Sequence, residues 1–280
     1  MRRRAQLLER IRGRIPREHA LVRAFEPVAS SLTTTRGLLL PTLRFVRHHG
    51  LTVGSGPFAG LRYPRGALLH VPGLATRLAG AYELELAPAV EDMISRHPRL
   101  VVNIGAGDGY YAVGMAIRCP DAHVVVYEAD PYQAWVCDGL ARANGVAERI
   151  AIRPTCQPED LAALNPPSET VVICDCEGWE DRLMVPERFG WLRSCPVVIE
   201  AHETLVPGIA AELRERFQAS HHVRTIEPAR RYVEDHPLLA KAPNLSAVEQ
   251  EMLAAEVRHW HTPWLFGAPR EVAARDEAGD

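Results

Sequence analysis

The stretch of sequence that decides the fold is VVNIGAGDG, residues 101–109. Its β-branched residues predict a short buried strand, its glycines predict a tight turn, and a helical pattern begins at Tyr110. We call Gly105–Gly109 the glycine turn. Glycine allows the backbone to adopt positive φ angles and lets a ligand come within contact distance. Because parallel α/β sheets bind ligands at the carboxyl ends of their strands, the stretch predicts a nucleoside site at this turn.

An acidic residue ends the next predicted strand. Glu128 lies 21 residues after Gly107, where a carboxylate can accept hydrogen bonds from both ribose hydroxyls. The third glycine, Gly109, comes too early for the G-x-G-x-x-G spacing that places a pyrophosphate at a helix N-terminus. Together the two observations favour a nucleoside cofactor without phosphates.

Short apolar runs alternate with helical patterns from Arg99 onward. This alternation is typical of consecutive βα units, and near-continuous apolar strands are typical of parallel sheets that are buried on both faces. The predicted strands are 100–104, 123–128, 150–153, 170–175, 196–200 and 222–226, and the predicted helices between them are 110–118, 132–144, 180–189 and 209–219. The sequence therefore predicts an α/β fold with a Rossmann-like, doubly wound and mostly parallel sheet.

Four segments are expected along the chain. Residues 1–49 form an Arg-rich helical arm, 50–98 a hairpin and a helix that lead into the core, 99–230 the ligand-binding domain, and 231–280 a helical and aromatic tail. The tail has a helical pattern over 246–260 and an aromatic cluster of Trp260, Trp264 and Phe266. Two interpretations of this cluster are open: a lid over an apolar substrate, or an anchor that pins the C-terminus to the core.

The composition is that of a globular protein, with 47% hydrophobic and 24% charged residues among 280. The net charge of −3 is unevenly spread, because residues 1–50 hold eleven arginines against three glutamates. Only Phe25 and Phe45 lie among these arginines, too few for a base-stacking platform, which argues against nucleic acid. We expect a solvated face or a partner-docking arm, including one that joins copies of this chain.

Two further features bear on location. No apolar run reaches the roughly 18–20 residues that a membrane helix needs, and charged residues interrupt the apolar stretch that a secretion signal requires. The six cysteines form no C-x-x-C pair, unlike a disulfide framework or a structural zinc site. The sequence therefore predicts a cytoplasmic protein with reduced thiols and no membrane span.

Three motifs resemble those of S-adenosylmethionine-dependent methyltransferases. Residues 100–130 resemble motif I and the following acidic strand of the class I enzymes. CDCEGWE at 174–180 resembles the D-x-E-G-x-E signature of the FkbM-like family, and VVIEAH at 197–202 resembles a later strand of that family. The resemblance covers about residues 50–230, and it implies a sheet of the class I methyltransferase type with S-adenosylmethionine as the cofactor.

The resemblance also implies which residues bind that cofactor. The glycine turn faces the methionine moiety, Glu128 binds the ribose, and Gln157 reads the adenine edge unless it is a solvent-exposed loop residue. The residues implied at the cofactor are Asn103, Gly105, Ala106, Gly107, Glu128, Gln157 and Asp175. Asn103 departs from the family, which usually has an acid there. Because an amide oxygen still accepts a hydrogen bond from the cofactor's amino group, we expect weaker binding and not its loss.

Methyl transfer needs a nucleophile aligned with the methyl group and a base for its proton, since the leaving thioether needs no acid. Titratable residues cluster at the ends of the fourth and fifth strands: Asp175, Glu177, Glu200, His202 and Glu203. His202 is the predicted general base because histidine titrates near neutral pH, with Asp175 and Glu177 as further catalytic residues. A structural histidine bonded to a carboxylate is the alternative. Asp175, Glu200 and His202 are also candidate ligands of Mg²⁺ or Mn²⁺.

The predicted function is O-methylation of a small-molecule acceptor, such as a secondary metabolite or a sugar. Two alternatives are open: an N-methyltransferase acting on a small amine or a nucleic acid, and a non-catalytic cofactor-binding partner subunit. The fourth strand lacks the N/D-P-P-Y/F sequence of many nucleic-acid amino methyltransferases, which argues against nucleic acid. Tyr82 and Glu83 precede the first strand, and we interpret them as packing the sheet edge in preference to closing over the cofactor.

Overall fold

A seven-stranded mixed sheet forms the centre of the molecule. The structure is a computed structural model that describes residues 38–229, 232–255 and 262–270. The strands are β1 (Leu100–Ile104), β2 (His123–Tyr127), β3 (Ile150–Arg153), β4 (Thr170–Cys174), β5 (Val197–Glu200), β6 (His221–Ile226) and β7 (Trp264–Pro269). Their order across the sheet is β3-β2-β1-β4-β5-β7-β6, and β7 runs antiparallel to both of its neighbours. The predicted Rossmann-like, mostly parallel sheet is confirmed.

Helices cover this sheet. Residues 38–49 form α1. The other α-helices are α2 (Ala67–His70), α3 (Leu74–Leu78), α4 (Ala87–Ser95), α5 (Tyr110–Arg118), α6 (Pro131–Ala143), α7 (Pro158–Ala163), α8 (Glu180–Leu183), α9 (Ile209–Gln218), α10 (Pro237–Ala240) and α11 (Ala247–Ala254). Short 3-10 helices lie at Leu84–Leu86, Ala147–Arg149, Gly190–Ser194 and Val233–Asp235. Within the described ranges, every helix is too short or too polar to cross a bilayer.

Alternating side chains of the strands fill two cores, one on each face of the sheet. Val101 belongs to a core that includes residues of α4, α5 and α6. Val102 and Ile104 belong to a second core, which includes residues of α8 and α9. Burial on both faces explains why the parallel strands have nearly continuous apolar sequences.

The glycine turn lies at the point where the strand order reverses. β1 pairs in parallel with β2 on one side and with β4 on the other, so that Val102 lies opposite both Val125 and Val172. On one side of β1 the next strands across the sheet are β2 and then β3, and on the other side they are β4 and then β5. The loops that leave such a point diverge and open a crevice at the carboxyl ends of the strands.

The sequence analysis does not predict the last strand. Trp264 and Phe266, expected in a helical and aromatic tail, belong to β7, which lies between β5 and β6. Gly267 and Pro269 obscure the pattern, because both residue types are depleted in strands. Gly267 fits here since an added Cβ would lie 2.8 Å from Cγ2 of Val197. Trp264 is fully buried, which agrees with the anchor interpretation, and Trp260 lies outside the described residues.

Other predicted elements differ in length. α8 ends at Leu183 and not at 189, because Pro186 disfavours helical backbone in the residue before it. The expected hairpin after residue 50 contains one antiparallel bridge, between Thr52 and Arg62. α11 begins after Ser246, as predicted, but residues 256–260 of the predicted helix lie outside the described residues, as do residues 1–37 of the predicted arm.

Candidate functional site

A cleft of about 1460 Å³ opens at the carboxyl edge of the sheet. Its lining includes the glycine turn from Gly105 to Asp108, Glu128 after β2, and Asp175 and Glu177 after β4. Residues of α1, of the segment 68–77 and of α11 also contribute to the lining. We call this space the cleft, and it coincides with the crevice that the strand order creates.

Two glycines of the turn have left-handed backbone conformations for different reasons. The φ angle is 72° at Gly105 and 54° at Gly107. A Cβ at Gly105 would lie 1.6 Å from the backbone oxygen of Asp175, whereas a Cβ at Gly107 would have no atom within 4 Å. The end of β4 therefore requires glycine at 105, and the space around Gly107 is open to a ligand.

The carboxylate of Glu128 is held against the glycine turn. Oε2 accepts a hydrogen bond from the Gly107 N–H at 2.7 Å, and Oε1 accepts one from the Asp130 N–H at 2.8 Å. The parallel pairing of β1 with β2 brings these two strand ends together. A carboxylate offers about four acceptor positions, so acceptor capacity remains for a ligand in the cleft.

Asn103 presents a polar group to the cleft from the middle of the sheet. Its side chain is 1% exposed, and its Nδ2 donates to the backbone oxygen of Ile173 at 3.4 Å. Its Oδ1 is buried without a hydrogen-bond partner. An unpaired buried acceptor costs about 1–3 kcal/mol, which a donor on a bound ligand would remove.

Arg77 is the only basic side chain in the described lining of the cleft. Its Nη2 lies 3.2 Å from Oδ1 of Asp108, its Nη1 donates to the backbone oxygen of Pro72 at 2.8 Å, and its guanidinium lies 3.8 Å from the ring centre of Tyr82. Asp108 also accepts a hydrogen bond from the Tyr63 hydroxyl at 2.9 Å. Burial opposes the charge, but Asp108, together with Tyr82, Tyr63 and Glu83, outweighs burial and raises the pKa of Arg77. The guanidinium therefore stays charged beside the glycine turn.

A histidine and four carboxylates converge at the ends of β4 and β5. We call His202, Asp175, Glu177, Glu180 and Glu200 the histidine–carboxylate cluster. Nδ1 of His202 lies 2.7 Å from Oε1 of the buried Glu180. Nε2 of His202 lies 3.4 Å from Glu177 Oε2, 3.5 Å from Asp175 Oδ1 and 3.9 Å from Glu200 Oε2. Because an ionised carboxylate only accepts hydrogen bonds, Nδ1 is the donor to Glu180, which fixes the orientation of the ring.

The cluster shifts the titration of its own members. Burial lowers the pKa of His202, but Glu180, Glu200 and Glu177 outweigh it, so that the pKa is raised above the ordinary histidine value. Burial raises the pKa of Glu180, but the hydrogen bond with His202, the charge of His202 and backbone hydrogen bonds together bring the pKa below the ordinary value. Burial and repulsion from Glu200 raise the pKa of Asp175 well above its ordinary value. The space between these carboxylates therefore favours a positively charged group.

The three predicted metal ligands lie together. One ligand atom each of Asp175, Glu200 and His202 falls within 4.8 Å of the others. Oδ1 of Asp175 is buried and accepts no hydrogen bond. Carboxylate oxygens with one imidazole suit Mg²⁺ or Mn²⁺, so the residues fit such an ion.

The cleft does not include every predicted residue. His202 and Glu200 lie behind Asp175 and Glu177, which line it. Gln157 directly precedes α7, its N–H donates to Asp160 Oδ2 at 2.8 Å, and it is outside the described lining.

Three further predicted positions have defined surroundings. Glu203 accepts hydrogen bonds from two backbone N–H groups at the start of α9, at 2.7 and 2.9 Å. Tyr82 lines the cleft against Arg77, whereas the buried Glu83 accepts a hydrogen bond from the Tyr111 hydroxyl. The packing interpretation thus describes Glu83 better than Tyr82.

Sequence reasoning missed two residues of the site. Glu180 had a signal, since it closes the D-x-E-G-x-E motif, but no role was predicted for it. Arg77 had no such signal in the sequence, because it precedes β1 and only tertiary packing brings it to the glycine turn.

No protein-family model and no curated protein matches this chain. Solved structures of methyltransferases are similar to it. One is an O-methyltransferase from Bacillus cereus in complex with SAH, at 10% sequence identity and a TM-score of 0.44, covering 73% of this chain and 95% of that one. Another is the O-methyltransferase TomG from Streptomyces achromogenes, involved in tomaymycin synthesis and in complex with SAM, at 16% identity and a TM-score of 0.42, covering 65% of this chain and 80% of that one. A third is a precorrin-6y C5,15-methyltransferase from Geobacter metallireducens, at 14% identity and a TM-score of 0.43, covering 65% of this chain and 87% of that one.

Proposed function

We propose that this chain is an S-adenosylmethionine-dependent methyltransferase of the FkbM-like type, which methylates a hydroxyl group of a small molecule. Two features that meet at one cleft carry the proposal. They are a glycine turn held by Glu128, and a histidine–carboxylate cluster that reaches the cleft through Asp175 and Glu177. The six unpaired cysteines are compatible with the reducing cytoplasm as the place of this activity.

The residues of the cleft fit a zwitterionic nucleoside. The remaining acceptor capacity of Glu128 suits the ribose hydroxyls. The unpaired Oδ1 of Asn103 suits an ammonium donor, and the guanidinium of Arg77 suits the carboxylate of the methionine moiety. When bound, S-adenosylmethionine supplies a sulfonium methyl group as the electrophile.

In this proposal Asp175 takes the proton of the acceptor hydroxyl. Its side chain lines the cleft and is 31% exposed, whereas the side chain of His202 lies behind it and is 7% exposed. As the proton passes to Asp175, the hydroxyl oxygen bonds to the methyl carbon. The bond from carbon to sulfur breaks, and its electrons stay on sulfur as a neutral thioether. His202, oriented by Glu180, is then a positioning residue and not the general base itself.

The same residues support a second arrangement. The convergence of Asp175, Glu200 and His202 within 4.8 Å favours a bound divalent cation. Such a cation would lower the pKa of an acceptor hydroxyl and orient it. Loss of turnover in EDTA that Mg²⁺ or Mn²⁺ reverses would support this arrangement, and unchanged turnover would exclude it.

Calorimetry with S-adenosylmethionine and S-adenosylhomocysteine tests the proposed function first. We expect both to bind, and binding of neither would overturn the proposal. Labelled cofactor is then incubated with a metabolite extract, and the methylated product is identified by mass. A methylated hydroxyl supports the proposal, a methylated amine or nucleic acid supports the alternative enzymes, and binding without any transfer supports the non-catalytic subunit.

Variants of the cluster test the assigned roles. We expect Asp175→Asn to lower kcat by about 10²–10⁴-fold, the range that general bases contribute, while the affinity for S-adenosylhomocysteine changes little. His202→Gln should lower kcat less and leave KM for the acceptor nearly unchanged. A larger loss of kcat in His202→Gln than in Asp175→Asn would return the role of general base to His202.

A further inference from the structure

The charged residues of the cleft occupy only part of its lining. Arg77, Asp108 and Glu128 lie at the glycine turn, and Asp175 and Glu177 lie after β4. The part formed by α1, the segment 68–76 and α11 is largely apolar and includes Leu38, Leu39, Leu68, Val71, Met252 and Leu253. We call these six residues the apolar wall. The cleft therefore has a polar part that suits the cofactor and an apolar part that the cofactor does not explain.

The size of the cleft points to a second ligand. Its volume of about 1460 Å³ exceeds the roughly 300–1,000 Å³ that are typical of a pocket for one small molecule. The polar groups near the apolar wall are few. Of the two threonines in this part of the lining, Thr76 already donates its hydroxyl hydrogen to the backbone oxygen of Leu253 at 3.0 Å.

Apolar surface also reaches the reacting end of the cleft. Trp179 and Leu205 line the cleft close to Glu177, and they are 38% and 55% exposed. Leu205 packs against the backbone of Gly178, next to Trp179. A Cβ added at Gly178 would lie 3.2 Å from the Cβ of Leu205. An apolar ligand that covers this surface removes it from water, which stabilises the complex in proportion to the area covered. At Leu205 and along the aliphatic side chains of the cleft, a sugar would instead lose water from its hydroxyl groups and gain no hydrogen-bond partners.

We propose that the methyl acceptor is a hydroxyl group at one end of an uncharged, apolar body, aromatic or aliphatic, and that the apolar wall binds this body. The inference rests on the proposed function and narrows it, because it removes sugars from the predicted acceptors. The acceptor hydroxyl then lies at Asp175 and Glu177, whose charges disfavour an acidic group beside it.

A series of 4-alkylphenols tests this acceptor class by calorimetry on the protein saturated with S-adenosylhomocysteine. We expect the affinity to rise about fourfold for each methylene from phenol through 4-butylphenol to 4-hexylphenol, the gain for a buried methylene, and methyl glucoside not to bind. Affinity that is independent of chain length, or tighter binding of methyl glucoside, would overturn the inference and leave the proposed function standing. Absence of S-adenosylhomocysteine binding would overturn the proposed function, and the inference with it.

Two matched variants locate the binding surface. Met252 belongs to the apolar wall and is 40% exposed, whereas Leu69 is 77% exposed and lies outside the cleft lining. Because both side chains contact water, both positions accommodate glutamate without burying its charge. We expect Met252→Glu to weaken 4-hexylphenol binding about tenfold or more and to leave S-adenosylhomocysteine binding unchanged. Leu69→Glu should change neither affinity, and equal 4-hexylphenol affinities in the two variants would contradict the assignment to the apolar wall.

Discussion

Two glycines of the glycine turn have different surroundings. Gly105 lies against the backbone of Asp175, and Gly107 has open space around its Cα. We expect Gly105→Ala to lower the free energy of unfolding by about 2–5 kcal/mol, because a positive φ costs about 1–2 kcal/mol and overpacking adds about 1–3 kcal/mol. Gly107→Ala should lower the free energy of unfolding only by the cost of the positive φ angle, about 1–2 kcal/mol. Urea unfolding measures both values, and equal losses would contradict the packing described for Gly105.

Arg77 gives a prediction that is independent of acceptor chemistry. If its guanidinium binds the carboxylate of the cofactor, the native protein should prefer S-adenosylmethionine over its decarboxylated analogue by about 10–100-fold, as a charge-assisted hydrogen bond does. In Arg77→Met this ratio should fall close to one. Calorimetry gives the ratio within each protein, so a general loss of stability affects both ligands equally.

Arg142→Met is the control for the loss of an arginine. Arg142 is exposed, pairs with Asp138 at 2.7 Å and lies outside the cleft lining. Its variant should keep the native preference for the carboxylated cofactor. A preference that survives in Arg77→Met would show that another group binds the carboxylate.

For single residues, the sequence predicts a position in the candidate site when the residue belongs to a local sequence pattern, such as the end of a strand. Glu128 and Asp175 each end a predicted strand, and the parallel sheet brings these strand ends to one edge. Arg77 lies outside any motif, and its place depends on a tertiary contact with Asp108. Gln157 is a prediction of the opposite kind: its position after the third strand suggested a ligand contact, and the residue directly precedes a helix, outside the described lining of the cleft.

Among the elements, β7 is the strand on which the sheet edge depends. It pairs with β5 on one side and β6 on the other, and its Trp264 is fully buried opposite Glu200 and Ile226. We expect Trp264→Ala to lower the free energy of unfolding by about 3–5 kcal/mol, the usual loss for a large aromatic core residue. Trp135, which is 59% exposed on α6, is the control, and Trp135→Ala should stay within about 0.5 kcal/mol of the native value. Similar losses in the two variants would contradict the burial of β7.

β7 is also the element that the sequence does not predict. β1, β2 and β4 are predicted because strands buried on both faces need apolar residues at nearly every position. β7 contains Gly267 and Pro269, which its packing against β5 and its place near the sheet end allow. Nothing in the local sequence encodes that packing, so the pattern of a strand is absent although the strand is present.

For the whole molecule, the burial of its thiols gives a prediction. Five of the six cysteines are buried, and Cys176 is partly exposed. Burial raises the pKa of Cys137, Cys156 and Cys195 to about 12. A raised pKa lowers the fraction of reactive thiolate, to about one part in 10⁴ at pH 8 for these three groups. We expect a thiol reagent at pH 8 to modify one cysteine in the folded protein and six in guanidinium chloride.

The control for this count is Cys176→Ser. It should remove the fast reaction in the folded protein and leave five thiols after unfolding. Two or more fast thiols in the native protein would show that the cores are open. Fewer than six in the unfolded native sequence would show a disulfide that the structure does not contain.

The position of β7 also has a consequence for synthesis on the ribosome. The chain emerges from its N-terminus, so β5 and β6 leave the ribosome before the strand that lies between them. Until residues 264–269 follow, the edge of β5 that later pairs with β7 has unpaired backbone N–H and C=O groups, and an open edge of this kind is a template for aggregation. The nascent chain therefore completes its sheet only after residues 264–269 have emerged, and until then this edge of β5 is open to pairing with other strands.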